Sequence, residues 1–368
     1  MARSSSSPKA SATAATSAAS GDATSASASR RITHRDIAQK LGVHRTTVSM
    51  ALRKHPSIPE ETRERVVRAA QEMDYVPDPM LSALSAYRSS RRPAAFQGVL
   101  AWVVNTTGGY DWTASSIYSG YHAGARAGAR RHGFTMETVD MGAPGMTPAR
   151  IARALRARSI SGLLLCPQPR ARMSLDFPWE EFSAVTFGYT LEQPGLHTIV
   201  PAQYRNLTRA MRELLRRGYR RPGLVFHDSH DLRSDHNYLG AWYAECHFLA
   251  SRVEPLLFET WPDYRKPLEA WLHKWRPDAI IAGATNIMTH LADIGMAVPD
   301  DVAVVCPGLG DASSTVSGIF EEPVHVGEIA VDFLVAMMHR NERGIPAHQQ
   351  RIHVEGSWVE GKTIRPAS

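Results

Sequence analysis

Apolar and polar positions follow two different rhythms along the chain. Between Arg31 and Tyr87 the apolar residues recur at helical spacing in short runs separated by polar breaks. The first run predicts a helix capped by Thr33, with Asp36 as its capping-box-like acid and Ile37, Ala38 and Leu41 on the buried side. Gly42 follows, a residue suited to a sharp turn that needs positive φ. In the second run, His44 to Leu52, Val48, Ala51 and Leu52 share one face, whereas Arg45, Thr46, Ser49 and Arg53 share another. A third helix starts at Ser57-Ile58-Pro59-Glu60, carries Val66, Val67, Ala69, Ala70 and Met73 as its stripe, and stops at Tyr75-Val76-Pro77. Helix, short Gly-containing turn, helix is the helix-turn-helix arrangement, in which the second helix enters the major groove.

Residues 78–87 (DPMLSALSAY) predict one more short helix, with Met80, Leu81 and Leu84 apolar, before a basic linker of Arg88, Arg91, Arg92 and Pro93. From Phe96 the rhythm changes to short continuous apolar runs alternating with amphipathic ones. Val99–Val104, Thr135–Val139, Gly162–Leu165, Ala184–Phe187, Gly223–Phe226, Ala279–Ile281 and Val302–Val305 read as buried parallel strands. Tyr118–His132, Ile151–Ala157, Tyr204–Arg217 and Ala330–His339 read as helices between them. Repeated strand–helix units imply a doubly wound α/β architecture. A length of about 270 residues exceeds what one sheet usually needs, which favours two lobes with a cleft. Gly120, Gly124 and Gly128 lie four apart in the first of these helices, a spacing that fits close helix packing and not a nucleotide fingerprint.

Charge sharpens the division. Residues 30–92 hold 13 Lys/Arg against 7 Asp/Glu, while residues 93–368 hold 27 against 28, so the basic surplus sits on the helical module. Residues 1–29 are mostly Ser, Ala and Thr; no core can form from them, and a disordered tail is expected. They are too polar for a secretory signal, and no apolar run reaches the ~18 residues of a membrane span. Cys166, Cys246 and Cys306 lie far apart without a CxxC pair, as expected of reduced thiols in a cytoplasm.

Enzymatic chemistry finds little support. His227-Asp228-Ser229-His230-Asp231 with His236 has the composition of a metal or catalytic cluster, but its spacing matches no metal frame such as HExxH. No GxSxG elbow is present for a hydrolase nucleophile. No catalytic residue, metal or cofactor is therefore expected. Polar residues near the predicted strand ends, Asn105, Tyr110, Gln168, Asp235, Asn237 and Asn286, are the candidates for binding a small molecule.

The order Ile32-Thr33, Asp36-Ile37-Ala38, Gly42-Val43, Thr46-Thr47-Val48-Ser49, Thr62-Arg63 and Tyr75-Val76-Pro77 resembles the LacI/GalR family of bacterial transcription regulators. Pro277-Asp278-Ala279-Ile280-Ile281, the stretch Gly295 to Val305, and Gly356-Ser357-Trp358-Val359 resemble the same family, so the likeness runs from Arg31 to about Arg365. It implies an N-terminal all-α helix-turn-helix DNA-binding domain over 30–77, a hinge helix and linker over 78–93, and a C-terminal α/β two-lobed periplasmic-binding-protein-like domain over 94–366. One lobe would comprise about 94–193 and 324–350, the other about 194–323 and 351–366, with crossings near Pro194, Pro323 and Gln350. Leu84 matches the leucine that family hinge helices push into the minor groove.

By the same resemblance the chain is a sequence-specific regulator, a repressor. It would bind double-stranded DNA at a palindromic operator as a homodimer or higher assembly in the bacterial cytoplasm, nucleoid-associated, with no membrane partner. A small-molecule effector of unknown class would sit in the cleft. Arg45 and Thr46 match base-reading positions; Thr33, Thr47, Ser49 and Arg53 would hold phosphates, and His34 belongs to the same contact set. Two departures bear on the operator: Met50 stands where the family commonly has a base-reading Arg, and His44 replaces a small cap residue and adds a potential phosphate contact. Two more bear on the effector. Asn237 stands where sugar-responsive members carry Arg, and Cys306-Pro307-Gly308-Leu309-Gly310-Asp311 replaces their Gly-x-Asp-Asp turn. Losing that polyol grip leaves two readings: a ligand of another class, or an α/β domain that docks a protein partner and senses no ligand.

Overall fold

The computed structural model describes residues 32–52, 58–73, 75, 96–249, 252–259 and 265–366. The predicted tail over 1–29, the hinge helix over 78–93 with Leu84, and Arg53 lie outside the described residues. The chain divides into two compact units, residues 1–87 and 88–368.

In the first unit, α1 (His34–Leu41), α2 (Arg45–Leu52) and α3 (Glu60–Glu72) enclose Ile37, Ala38, Val48, Ala51, Val66, Ala69 and Ala70. The Asp36 carboxylate accepts from the Thr33 backbone N–H at 2.8 Å and from its hydroxyl at 2.7 Å, which fixes the start of α1. Gly42 ends α1 at φ +67°, a left-handed conformation that a side chain would strain. Pro59 precedes α3, whose Glu60 and Glu61 complement its positive end. So small a core contributes few kcal/mol, and polar ties add to it: Lys40 pairs with Glu72 at 2.7 Å and the Tyr75 hydroxyl meets His34 Nε2 at 2.8 Å.

The second unit opens with β1 (Gly98–Val104), α4 (Ser116–Arg131), β2 (Phe134–Asp140), α5 (Pro148–Ala157) and β3 (Gly162–Leu165). Next come β4 (Met173–Ser174), β5 (Ser183–Phe187), β6 (Leu191–Gln193), β7 (His197–Pro201), α6 (Gln203–Arg216) and β8 (Pro222–His227). Then follow α7 (Asp228–Arg233), α8 (Asn237–Cys246), β9 (Leu256–Phe258), α9 (Arg265–Trp275), β10 (Ala279–Ala282) and α10 (Ile287–Asp293). The unit closes with β11 (Ala303–Leu309), β12 (Ser317–Phe320), α11 (Pro323–Arg340), β13 (Arg351–Val354) and β14 (Ser357–Val359). Ser115 caps α4 and Thr147 caps α5, each accepting from a backbone N–H three residues on.

Two six-stranded sheets result, in the orders β13-β7-β5-β3-β1-β2 and β14-β12-β11-β10-β8-β9. The first is wholly parallel; in the second only β14 runs antiparallel, on β12. Each sheet is covered on both faces, as its apolar runs require, with Trp102, Leu164 and Ile199 in one lobe and Phe226, Trp242 and Ile281 in the other. The glycine strip packs as predicted: a Cβ on Gly124 would strike the Val324 carbonyl, and one on Gly120 would lie 2.7 Å from Pro323 Cβ. Cys166, Cys246 and Cys306 are separate buried thiols, and burial pushes Cys306 up to about 12.

Two of the three lobe crossings fall later than the sequence suggests, while the second lies beside Pro323 as expected. His197–Pro201 pairs with β5 and β13 in the first sheet, so the first crossing follows Pro201 and not Pro194. The second falls at Glu321–Glu322, between β12 and α11, and the third at Glu355–Gly356, not near Gln350. Prolines marked loops in the sequence, but hydrogen-bond register decides which sheet a strand joins. The strands missed, β4, β6, β7, β9, β12, β13 and β14, are short, and β13 (Arg-Ile-His-Val) is a polar-interrupted edge without a continuous apolar run.

Candidate nucleic-acid interface and interlobe cleft

The buried stripe of α2 leaves a defined outer face. Val48 and Ala51 are fully buried, while His44, Arg45 and Thr46 are exposed and Thr47, Ser49 and Met50 are half-buried. His44 Nδ1 lies 2.8 Å from Thr46 Oγ1 and 3.4 Å from the Thr46 backbone N–H, so its ring does locally what a small cap residue would do. That contact occupies one nitrogen of the ring and ties Thr46, a predicted base reader, to the cap.

Two predicted phosphate or DNA contacts are engaged within the head. The Thr33 hydroxyl donates to Asp36, and His34 packs on Tyr75 with ring centroids 5.3 Å apart besides their hydrogen bond. Arg45 extends from the first turn of α2, on the surface that His44, Thr46, Ser49 and Met50 share.

In the second unit a cavity lies between the lobes. Ile117, Tyr118 and Tyr121 of α4 line one side; His230, Arg233, Ser234 and Tyr238 line the other, with Gln203 and Glu321 at the crossings. Its free space is about 70 Å³, well below the ~150 Å³ of an engineered cavity that binds benzene. Anything of disaccharide size requires the lobes to part.

Arg233 spans the cleft. From the end of α7 its guanidinium donates to the Pro169 carbonyl at 2.8 Å and the Tyr118 hydroxyl at 3.0 Å. It also reaches the Tyr110 hydroxyl at 3.5 Å and lies 5.9 Å from that ring's centroid. Glu321 is 2% exposed and accepts from the Tyr238 hydroxyl at 2.9 Å. Burial pushes its carboxyl up to about 7, against the lowering effect of that hydrogen bond. His230, against Phe226 and Tyr238, is held down to about 4 by burial and then by the neighbouring Arg233 charge.

None of the six residues predicted to bind a small molecule lines this cavity. Asn105 and Gln168 are buried and satisfy each other: the Asn105 amide donates to Gln168 Oε1 at 3.3 Å, and Gln168 Nε2 donates to the Cys166 carbonyl. Tyr110 stands behind Arg233, and burial raises its hydroxyl above the usual range. Asp235 is exposed in a left-handed turn, Asn237 donates to the Ser234 carbonyl at 2.6 Å, and Asn286 is exposed at the start of α10. Strand-end position alone selected three residues one step in sequence from the wall, Gln168 beside Pro167, Asp235 beside Ser234 and Asn237 beside Tyr238. Sequence reasoning missed Arg233, Glu321, Gln203 and Tyr238. An Arg within the polar stretch after β8 was the available signal for the first; nothing local marks the others.

The His227–His236 stretch is a folded helix start. His227 Nδ1 accepts from the Ser229 backbone N–H at 3.1 Å, and buried Asp231 accepts from the Leu239 N–H and meets His236 Nδ1 at 2.7 Å. Among the described residues no three His, Cys, Asp or Glu side chains converge as metal ligands, and no helix is long and apolar enough to cross a membrane.

Comparison with known proteins places both units. Residues 33–78 match the model of bacterial regulatory proteins of the lacI family, and residues 211–364 match the periplasmic binding protein-like domain. The sucrose operon repressors of Escherichia coli and Shigella flexneri are each 26% identical over 188 residues, 51% of this chain and 53% of theirs. The chain thus spans about half the length of the curated relatives it matches. The fold is that of the transcriptional regulator CelR in its cellobiose complex, with TM-score 0.54 and 18% identity over 90% of this chain and 100% of that one. It is likewise that of the lac repressor dimer bound to operator and the anti-inducer ONPF, with TM-score 0.52 and 16% identity over 91% and 99%. The head over residues 33–78 is thus that of the lacI family of bacterial regulatory proteins, joined to a periplasmic binding protein-like domain over residues 211–364.

Proposed function

We propose that this protein is a sequence-specific transcription regulator, a repressor, that reads a palindromic operator as a dimer under control of a small molecule bound between its lobes. The observation that carries the reading is the outer face of α2, where Arg45 and Thr46 stand exposed on a helix anchored by Val48 and Ala51. Arg45 grips guanine O6 and N7, Thr46 meets a neighbouring base, and Met50 supplies an apolar contact to a thymine methyl. Thr47, Ser49 and Arg53 hold phosphates and set register, with His44, His34 and Thr33 beside them. Residues 78–93 form the hinge, with Leu84 as its minor-groove wedge.

The relatives bear the names of repressors and not of enzymes, and this chain is read the same way: no catalytic step, a place on the bacterial nucleoid, and no membrane. The interlobe cavity supports the effector-sensing form over one that docks a protein and senses nothing. Effector and operator are then linked by a coupling free energy, typically ~1–3 kcal/mol, that requires different contacts in the two states.

Selection of bound sites from a randomised DNA library at fixed salt tests the reading. A recovered palindrome is the expected result, with Arg45→Ala relaxing the preference at one position of each half-site. Binding that yields no motif and only fades with salt would mean phosphate contacts alone, and would overturn it.

A further inference from the structure

We infer that the ligand of the interlobe cleft is a small carboxylate that also carries hydroxyl or amide donors, with Arg233 as the residue that clamps its anionic end. The inference rests on the effector-sensing reading above and deepens it by naming a ligand class.

The unusual feature is the company Arg233 keeps. Arg131, Arg156, Arg212, Arg216 and Arg217 all pair with carboxylates. Arg233, partly buried in the cleft, has instead one carbonyl and two tyrosine hydroxyls. Among the described residues no carboxylate lies within ion-pair distance of it. A guanidinium withdrawn from water without an anion is poorly compensated, and its planar fork matches a carboxylate bidentately. Its present partners are neutral contacts on the opposite lobe, which an arriving anion can displace.

The rest of the wall asks for donors. Gln203 Oε1 is buried with no hydrogen-bond partner, and the Glu321 carboxyl has one donor, the Tyr238 hydroxyl. Both face the same cavity as Arg233. An unfilled buried acceptor costs free energy that a ligand hydroxyl or amide recovers. A neutral polyol would satisfy those acceptors but leave Arg233 without its anion. The Asp311 carboxylate takes no part in the wall: on an exposed turn, it accepts from the Ser313 backbone N–H and hydroxyl.

Calorimetry and thermal shift on the full-length protein decide the matter, using acetate, glycolate, lactate, malate and gluconate, with glucose, sucrose and inorganic phosphate as the other arms. The expected result is saturable binding of at least one carboxylate, weakened about tenfold or more by Arg233→Gln and less by Arg233→Lys, which keeps the charge without the fork. Gln203→Ala, which leaves Arg233 in place, should weaken the hydroxylated acids more than acetate, so the assignment stays testable if an Arg233 variant misfolds. Silence across every carboxylate overturns the proposal. So does a neutral sugar that binds equally to wild type and Arg233→Gln, or inorganic phosphate that binds where the carboxylates do not. Operator selection is read separately: a palindrome with no carboxylate binding sinks this inference alone, whereas carboxylate binding without a palindrome sinks the regulator reading and leaves the cleft assignment standing.

Discussion

The reading head and the interlobe cleft differ in how their side chains come together. In the head the contacts that shape the reading face are local: Thr33 with Asp36 across one turn, His44 with Thr46 across two residues, Val48 and Ala51 on one stripe. In the cleft, Tyr118, Arg233 and Glu321 come from α4, α7 and the connection after β12, from both lobes and a crossing. A site made of neighbours in sequence keeps its geometry when the distant core changes. A site assembled from distant segments changes its chemistry when one wall residue is exchanged, without any change of fold. The family likeness in the two regions follows suit: the head keeps the motif almost position by position, while the cleft has lost the expected Arg and Asp.

The largest expected effect separates the units. Ile37 is fully buried in the head, and Ile37→Ala should cost ~2–5 kcal/mol, enough to unfold so small a core. Operator binding should vanish while the thermal transition of the α/β domain stays where it was. A matching shift of that second transition would break the comparison, because the units would not be independent.

Next comes the pH dependence carried by Glu321, which faces Tyr238 of α8, Tyr121 of α4, Cys306 and Gly308 of β11, and the cleft residues His230 and Arg233. Its folded-state pKa of about 7 lies above the ordinary 4.5. The unfolded chain therefore sheds this proton first, and the stability the group contributes is full below about 4.5 and lost as pH rises through about 7. Removing it with Glu321→Gln should stabilise the α/β domain above pH 7 by something on the order of 3 kcal/mol. His230, held down to about 4, has the opposite sign, destabilising as pH falls below its ordinary 6.5. The variant should then show that acid-side slope unopposed, and denaturant titrations across pH 4–8 measure it.

Arg45→Ala should cost ~1–3 kcal/mol of specific affinity at one half-site position while leaving non-specific binding nearly intact. Uniform weakening across all sequences would instead make Arg45 a phosphate contact. The smallest effect belongs to Thr33→Ala, about 1 kcal/mol of head stability through loss of the hydroxyl to Asp36. A fall in operator affinity beyond that, measured at a temperature where the head stays folded, would show that the same hydroxyl also meets DNA.

Much of the molecule was legible before any coordinates. Thr33 and Asp36, Gly42 at positive φ, and the Val48–Ala51 stripe are local features whose physics needs only a few neighbouring residues. The strands at Gly162–Leu165 and Ala279–Ala282 were equally plain, because a strand buried on both faces must be apolar throughout. The glycine strip of α4 announced close packing, though not that α11 is what packs there.

What the sequence left open is what depends on register and on segments far apart. Whether His197–Pro201 joins the first sheet or the second is set by its hydrogen bonds to β5 and β13, invisible in a five-residue run that begins with His and Thr. The same applies to the cleft. Asn105 and Gln168 were reasonable ligand candidates until the fold turned them toward each other, and Arg233 was one arginine among many until its helix brought it to Tyr118 and Pro169, with no carboxylate within ion-pair distance among the described residues. Local pattern determined the helices, the strands and the reading face, because short-range sterics and burial periodicity act within a few residues. Tertiary structure alone decided which polar groups are paired and which await a ligand, because pairing depends on distances between segments that the chain order does not encode.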